Sequence, residues 1–481
     1  MLEAIAHKNL KQLLLNIPDT WPHNLTLSRL VARSIRRRDT ALMQLDVDGQ
    51  DSWWIGLLLP LCLEHSNVAL VLSPRQLRRL LNHELPRLKE AGFKLPCWEG
   101  AQPPPNGQLW LIDHVGLIPG LYDGRFCSKQ LIFPEAELIS EAFREAMAIQ
   151  ITAENWEQLA RAHPSAELAL LNLYERISRR IFSQAASSNA LVRLDGSEII
   201  TLRDLIGILE PSPSPWPSLL KASGQEWASW AELDHKTLNW KWNLKPLEPL
   251  HLLEEFLIQK PSIFLTTLGS DSHMVNTLRE LHFPINVEVK LGESNFKEPL
   301  SLYAPNQQPL PNTQTFSDYL LDQSRRLILG RSGITILLLD DCQLRTQLTS
   351  QLAAEFGKRV VHETTNPDLN GVICCRWSWW IDHQAHLPAP EQVIVALLPL
   401  ASLSSPLIAA RVEALKLQGR DWFRELLLPE ALTLMPKAVA PMRVNSGRIA
   451  ILDGRLRSRT WGKEFLRTLE PWTPLLHLLP D

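Results

Sequence analysis

TALMQLDVDGQDSWWIGLLLPLCLEHSNVALVLSP, residues 40–74, decides the fold. TALMQLDV reads as a strand, DGQDS as a turn, WWIGLLLPLCLEH as a buried helix and NVALVLSP as a second strand. The strand runs are apolar without alternation, which fits strands covered on both faces. Downstream, RQLRRLLNHELPRLKEAG reads as a basic amphipathic helix and LWLID as a third strand that ends on Asp113. Strands alternating with helices at this rhythm predict a parallel α/β sheet.

The pattern breaks and then returns. Residues 135–210 have helical periodicity, PSPSPWPSLL is a loop or linker, and EWASWAELDHKTLNWKWN holds four tryptophans and fits no simple period. Strand–helix alternation resumes in SIFLTTLG, ITILLLDD, RVVHETT, GVICCRW, EQVIVALLPL and RIAILDGRL. We therefore expect two parallel α/β units with a helical insertion in the first. The first unit is expected over 1–134 and 251–300, the helical, Trp-rich insertion over 135–250, and the second unit over 301–481.

The 481 residues carry a net charge of −3, so nucleic acid or an acidic membrane can be met only through local basic patches. Such patches occur at Arg33, Arg36, Arg37 and Arg38, at Arg75, Arg78 and Arg79, at Arg176, Arg179 and Arg180, and at Arg455, Arg457, Arg459 and Lys463. Charge runs are also common on solvated helix faces. The six cysteines form no CxxC pair, which argues against a zinc ribbon or a disulfide framework. No signal-peptide core and no long uncharged apolar run is evident, so a cytoplasmic protein with no membrane partner is expected.

The turn after the first strand is where a nucleotide phosphate loop would lie. That chemistry needs glycines, a lysine and a hydroxyl. Here the turn runs from Asp46 to Trp54 with one glycine, Gly49, and no Lys or Arg between Arg38 and Arg75. Its aspartates would repel a polyanion. Asp51 or Ser52 is also a plain helix cap. Asp46, Asp48 and Gly49 resemble part of a calcium loop, but the closing glutamate is missing.

Taken in order, these segments resemble the DinG-like branch of the DinG/XPD superfamily 2 ATP-dependent DNA helicases. VALLPLASLSSPLIAARVEALKLQGRDWFRELLLPEAL (395–432) resembles the family's LPF…P.DPL…AR.E…G…F.E..LP.A stretch. GRIAILDGRLRSRTWGKEFLRTL (447–469) resembles its G.V.ILD.R…YG..F…L ending. RWSWW places Trp380 on the family tryptophan, IFLTTLG falls on motif III, WLIDHVG on the DEAH box and DVDGQDSWWIGLLLP on EAGTGTGKT.AYLLP. The resemblance implies two RecA-like domains, ATP and magnesium as cofactors, and single-stranded DNA or another nucleic acid as partner. It places a degenerate phosphate loop on Gly49, Asp51, Ser52 and Trp53. Asp113 stands for the magnesium-organising carboxylate, His114 for the catalytic glutamate, and Arg443 for one motif VI arginine. Arg75, Arg78, Arg79, Thr266 and Trp380 fall where relatives meet nucleic acid.

The departures are as telling as the matches. The phosphate-loop lysine, the DEAH glutamate and the finger arginine (Ala440 here) are all replaced, and the four cluster cysteines have no counterpart. We therefore expect no iron–sulfur cluster and weak or absent ATP hydrolysis in a nucleic-acid-binding protein of DNA repair or replication. Two alternatives stay open: a working but divergent helicase, and a scaffold that docks a protein partner through the Trp-rich insertion. Asp382, His383 and His386 lie close enough in sequence for a metal site, though without supporting context.

Overall fold

The computed structural model describes residues 2–15, 21–46, 52–105, 107–185, 191–194, 196–222, 226–234, 237–267, 271–292 and 298–475. Its first lobe is a seven-stranded sheet in the order Val287–Leu291, Ala41–Leu45, Ser262–Thr267, Gln130–Phe133, Val68–Val71, Leu109–Ile112, Cys97–Glu99. Every neighbouring pair is parallel. The second lobe is another seven-stranded parallel sheet, ordered Val360–His362, Val372–Cys375, Thr335–Leu338, Gln392–Val395, Arg448–Ile451, Leu300–Tyr303, Trp472–Pro474. The expected pair of RecA-like parallel sheets is thus present.

The apolar runs explain the centre of each sheet. Ala41–Leu45, Val68–Val71, Leu109–Ile112, Thr335–Leu338 and Val372–Cys375 are buried along their whole length. The helix Trp54–Leu63 is apolar on all sides and is sandwiched between that sheet and the helix Asn24–Arg37. Local chemistry places the helix starts. Ser73 opens Pro74–Arg79 with a capping box, its hydroxyl accepting from the Gln76 N–H while Gln76 accepts from the Ser73 N–H.

The inserted region is helical over Ala153–Ala162, Glu167–Ala185 and Gly196–Ile208, and it contains a sheet that periodicity did not anticipate. Trp227–Asp234 and Asn239–Pro246 pair antiparallel, flanked by Ile149–Ile151 and Leu191–Arg193. Trp240 and Trp242 lie two residues apart, so they share one face and both are buried. Trp240 joins Trp156, Trp216 and Tyr174 in an aromatic core beneath the helices. These tryptophans build the insertion instead of decorating it.

The lobes are joined across their cleft. The second-lobe helix Pro406–Leu417 lies on the strand Trp227–Asp234, with Leu407, Ala410 and Ala414 against Ala228 and Trp230. Beside it the buried Arg411 bridges Glu248 at 3.3 Å and Glu430 at 2.7 Å. Arg420 pairs with Glu280 at 3.2 Å, and Lys437 with Glu137 at 3.0 Å.

Candidate functional site

The corner after the first strand is built from Trp21, Asn24 and residues 52–56. Gly49 and Asp51 lie outside the described residues. A phosphate-binding helix must present free backbone N–H groups at its start. Here the Gly56 N–H is 3.0 Å from the Trp53 carbonyl and 3.1 Å from Asn24 Oδ1. The fully buried Asn24 amide also donates to Trp21 O at 2.9 Å and Ser52 O at 3.2 Å. A Cβ on Gly56 would stand 2.8 Å from Asn24 Oδ1, so glycine permits this close approach. Trp21 Nε1 in turn donates to the Asp46 carbonyl at 2.6 Å.

Laid on EAGTGTGKT.AYLLP, the lysine position falls on Trp53 and the threonine position on Trp54. Both indoles are buried, with ring centroids 4.9 Å apart in a stacked pair. Ser52 Oγ is buried with no hydrogen-bond partner among the described residues. The two stacked indoles supply no cation at the lysine position, and the Gly56 N–H is already accepted by Asn24 Oδ1. The described residues 52–56 of this corner contain no Lys or Arg, and no chemical step is assigned to ATP or magnesium there.

Asp113 and His114 follow the strand Leu109–Ile112. Asp113 is exposed and caps the helix His114–Tyr122, its Oδ1 accepting from the Gly116 N–H at 2.7 Å. His114 stands edge-on to Phe143, with centroids 5.3 Å apart. Burial pulls its pKa down to about 4, against a smaller opposing pull from Asp113. The imidazole is neutral at physiological pH and belongs to the packing of this corner.

Arg443 is held at the edge of the second sheet. Its guanidinium donates to the carbonyls of Pro471 (2.9 Å), Leu469 (2.6 Å) and Glu470 (3.0 Å), and so staples the chain's last described strand to the helix Leu428–Val444. Burial lowers its pKa to about 10, which leaves it charged. Three backbone carbonyls thus hold the group expected as a motif VI arginine at the sheet edge. Trp380 lies inside the second-lobe core. It is fully buried, its Nε1–H donates to Ala438 O at 2.8 Å, and it presents no face to a base.

The other expected nucleic-acid residues are partly engaged. Arg75 Nη1 reaches across the cleft to the Ile381 carbonyl at 3.4 Å. Arg79 pairs with Glu84 at 3.0 Å, whereas Arg78 is exposed and donates to Pro74 O at 3.3 Å. Thr266 is buried near the end of its strand, in register with Gln44. His383 lies stacked on Trp379, and among the described residues no three His, Cys, Asp or Glu side chains gather as a metal site. Sequence reasoning missed Asn24 and the Glu137–Lys437 pair. The one available signal was a lysine, Lys437, inside a motif VI that otherwise keeps only Arg443.

No family model matches the chain. It is 29% identical over 176 residues to the ATP-dependent DNA helicase YoaA of Haemophilus influenzae, covering 35% of this chain and 28% of that protein. To the Escherichia coli protein of the same name it is 24% identical over 253 residues, covering 47% of this chain and 38% of the relative. Each match thus spans less than two fifths of the relative's length. The solved structure of S. tokodaii Xpd4 superposes with a TM-score of 0.57 at 13% identity, covering 92% of this chain and 97% of that one. The chain is thus similar in part of its sequence to the DNA helicase YoaA, and in its two-sheet fold to Xpd4. It has two parallel-sheet lobes, and Trp53 and Trp54 open the helix that follows the first strand of the first lobe. No helix among the described residues is long and apolar enough to cross a membrane.

Proposed function

We propose that this DinG-like chain binds single-stranded nucleic acid on a helicase scaffold without turning over ATP, as a passive or partner-dependent factor in DNA repair or replication. The observation that carries the reading is Trp53. An indole stacked on Trp54 stands where a motor holds the lysine that seats its triphosphate. Arg443, tied to three backbone carbonyls, supports the same reading. An arginine finger contributes roughly 10³ to 10⁵ to turnover, so its loss together with the lysine leaves no motor. Because Trp230, Trp240 and Trp242 are interior, the insertion is read as a structural wedge between the lobes and not as a tryptophan-lined docking face.

The test is phosphate release by the purified chain with ATP and magnesium, with and without single-stranded DNA, beside direct nucleotide titration. We expect no DNA-stimulated release and no saturable nucleotide binding. Stimulated turnover that vanishes in Asp113→Ala would instead establish a divergent motor.

A further inference from the structure

The basic segment 455–467 is not used by the nucleotide corner. It follows the strand Arg448–Ile451 and forms two short helices, Arg455–Ser458 and Gly462–Thr468. Arg457, Arg459, Lys463 and Arg467 are all exposed. Among the described residues none of the four is paired with a carboxylate; Arg457 donates only to the Ala304 carbonyl, at 3.1 Å. By contrast Arg455 is consumed by the fully buried Asp453 at 2.6 Å. The segment therefore separates one structural arginine from four cations left to solvent.

Trp461 sits in the middle of these cations and extends a row of rings. Trp422 and Phe423 lie 6.1 Å apart by centroid, Phe423 and Trp461 5.3 Å, Trp461 and Phe465 5.8 Å. Phe465 is buried and anchors the row, while Trp422, Phe423 and Trp461 each keep part of their surface in solvent. Gly462, next to Trp461 in the chain, admits no side chain, because any Cβ there would collide with the Leu456 carbonyl. Lys416 stands 5.4 Å over the Trp422 ring, adding a cation to the far end.

We infer that Trp461 and Phe423, flanked by Arg457, Arg459 and Lys463, form a stacking subsite for single-stranded nucleic acid on the second lobe. The inference rests on the nucleic-acid reading above and names a surface for it that does not depend on nucleotide. Charge complementarity selects the occupant. Spaced cations suit a sugar–phosphate backbone, and partly exposed rings suit unpaired bases, whereas an acidic peptide would use the cations alone.

The experiment titrates the whole chain into fluorescein-labelled oligothymidylate across a salt series, with a labelled polyglutamate peptide as the second probe. Reversing Arg459 and Lys463 to Glu should weaken oligonucleotide binding and flatten the slope of log K against log [salt] by about 1.4. Trp461→Leu should weaken it about 5- to 150-fold with the salt slope unchanged, and Trp461→Phe should restore most of the affinity. Each variant is accepted only if its thermal unfolding matches the parent's, and the exposed Arg459 and Lys463 changes keep the test alive if Trp461→Leu fails to fold. Wild-type binding that none of these changes moves overturns the subsite and leaves the nucleic-acid reading standing. Wild-type failure to bind the oligonucleotide overturns both. Equal affinity for polyglutamate, with no effect of Trp461→Leu, overturns the subsite in favour of an acidic peptide.

Discussion

At the scale of single residues, Asp113 caps a helix and His114 packs edge-on to Phe143. A carboxylate at the end of a parallel strand is well placed for magnesium, yet here it accepts the Gly116 N–H of the next helix. Asp113→Ala should therefore cost about 0.5–2 kcal/mol of stability by denaturant unfolding, as cap losses do, with no change in phosphate release. His114 titrates far from its unfolded value. Its folded pKa is about 4 against an ordinary value near 6.5, because burial disfavours the imidazolium. The unfolded chain then binds the proton first as pH falls. The stability His114 contributes is complete above about pH 6.5 and is lost on acidification towards 4. Replacing His114 with Phe should flatten the fall of melting temperature across that window; an unchanged profile would show that other groups set the acid limb.

At the scale of elements, tryptophan and asparagine pack the start of the helix Trp54–Leu63. Asn24 closes the N-terminus of Trp54–Leu63, so Asn24→Ala should leave the Gly56 N–H poorly satisfied and cost about 1–3 kcal/mol by chemical denaturation. Trp380 lies in the second-lobe core, so Trp380→Ala should cost about 3–5 kcal/mol, while the packing-conservative Trp380→Phe should leave oligonucleotide affinity unchanged. The central strands were legible because Val68–Val71 and Thr335–Leu338 are short, apolar and buried on both faces. Gln130–Phe133 was not, although it is equally buried. Its first residue is a glutamine whose amide donates to Ser34 O (3.3 Å) and Asp39 O (2.9 Å), partners almost a hundred positions away. The edge strand Val287–Leu291 is only half covered, and Cys97–Glu99 and Trp472–Pro474 are three residues each, too short for a period. The hairpin of the insertion was hidden for another reason: its alternation is carried by tryptophans separated by Lys241, and its buried Asn243 breaks the polar-out rule. Of the candidate site, the degenerate corner could be located from the missing lysine, but that Arg443 staples a sheet edge depends on carbonyls no motif encodes.

At the scale of the whole molecule, the question is whether the lobes move. A translocating motor opens and closes its cleft on nucleotide, which requires an interface with two arrangements of similar energy. Here the cleft is crossed by Lys437–Glu137, by Arg75 to the Ile381 carbonyl and by Arg420–Glu280, and the insertion docks Trp230 and Ala228 on the helix Pro406–Leu417. The Glu137 side chain is 1% exposed and that of Lys437 16%, so this pair is shielded from salt in a way the rim pairs are not. Lys437→Glu puts two carboxylates in one buried place and should destabilise the chain by more than about 1–3 kcal/mol. The double change Glu137→Lys with Lys437→Glu should recover part of that loss, since the charges meet again with the sign reversed. Spin labels on exposed positions, one on each lobe, then report the separation. The distance distribution of the parent should be single and unmoved by ATP, by a non-hydrolysable analogue or by oligothymidylate, and it should broaden in Lys437→Glu and narrow again in the double variant. A parent distribution that shifts with nucleotide would mean that the cleft still cycles and that the tryptophan-filled corner has not stopped the motor.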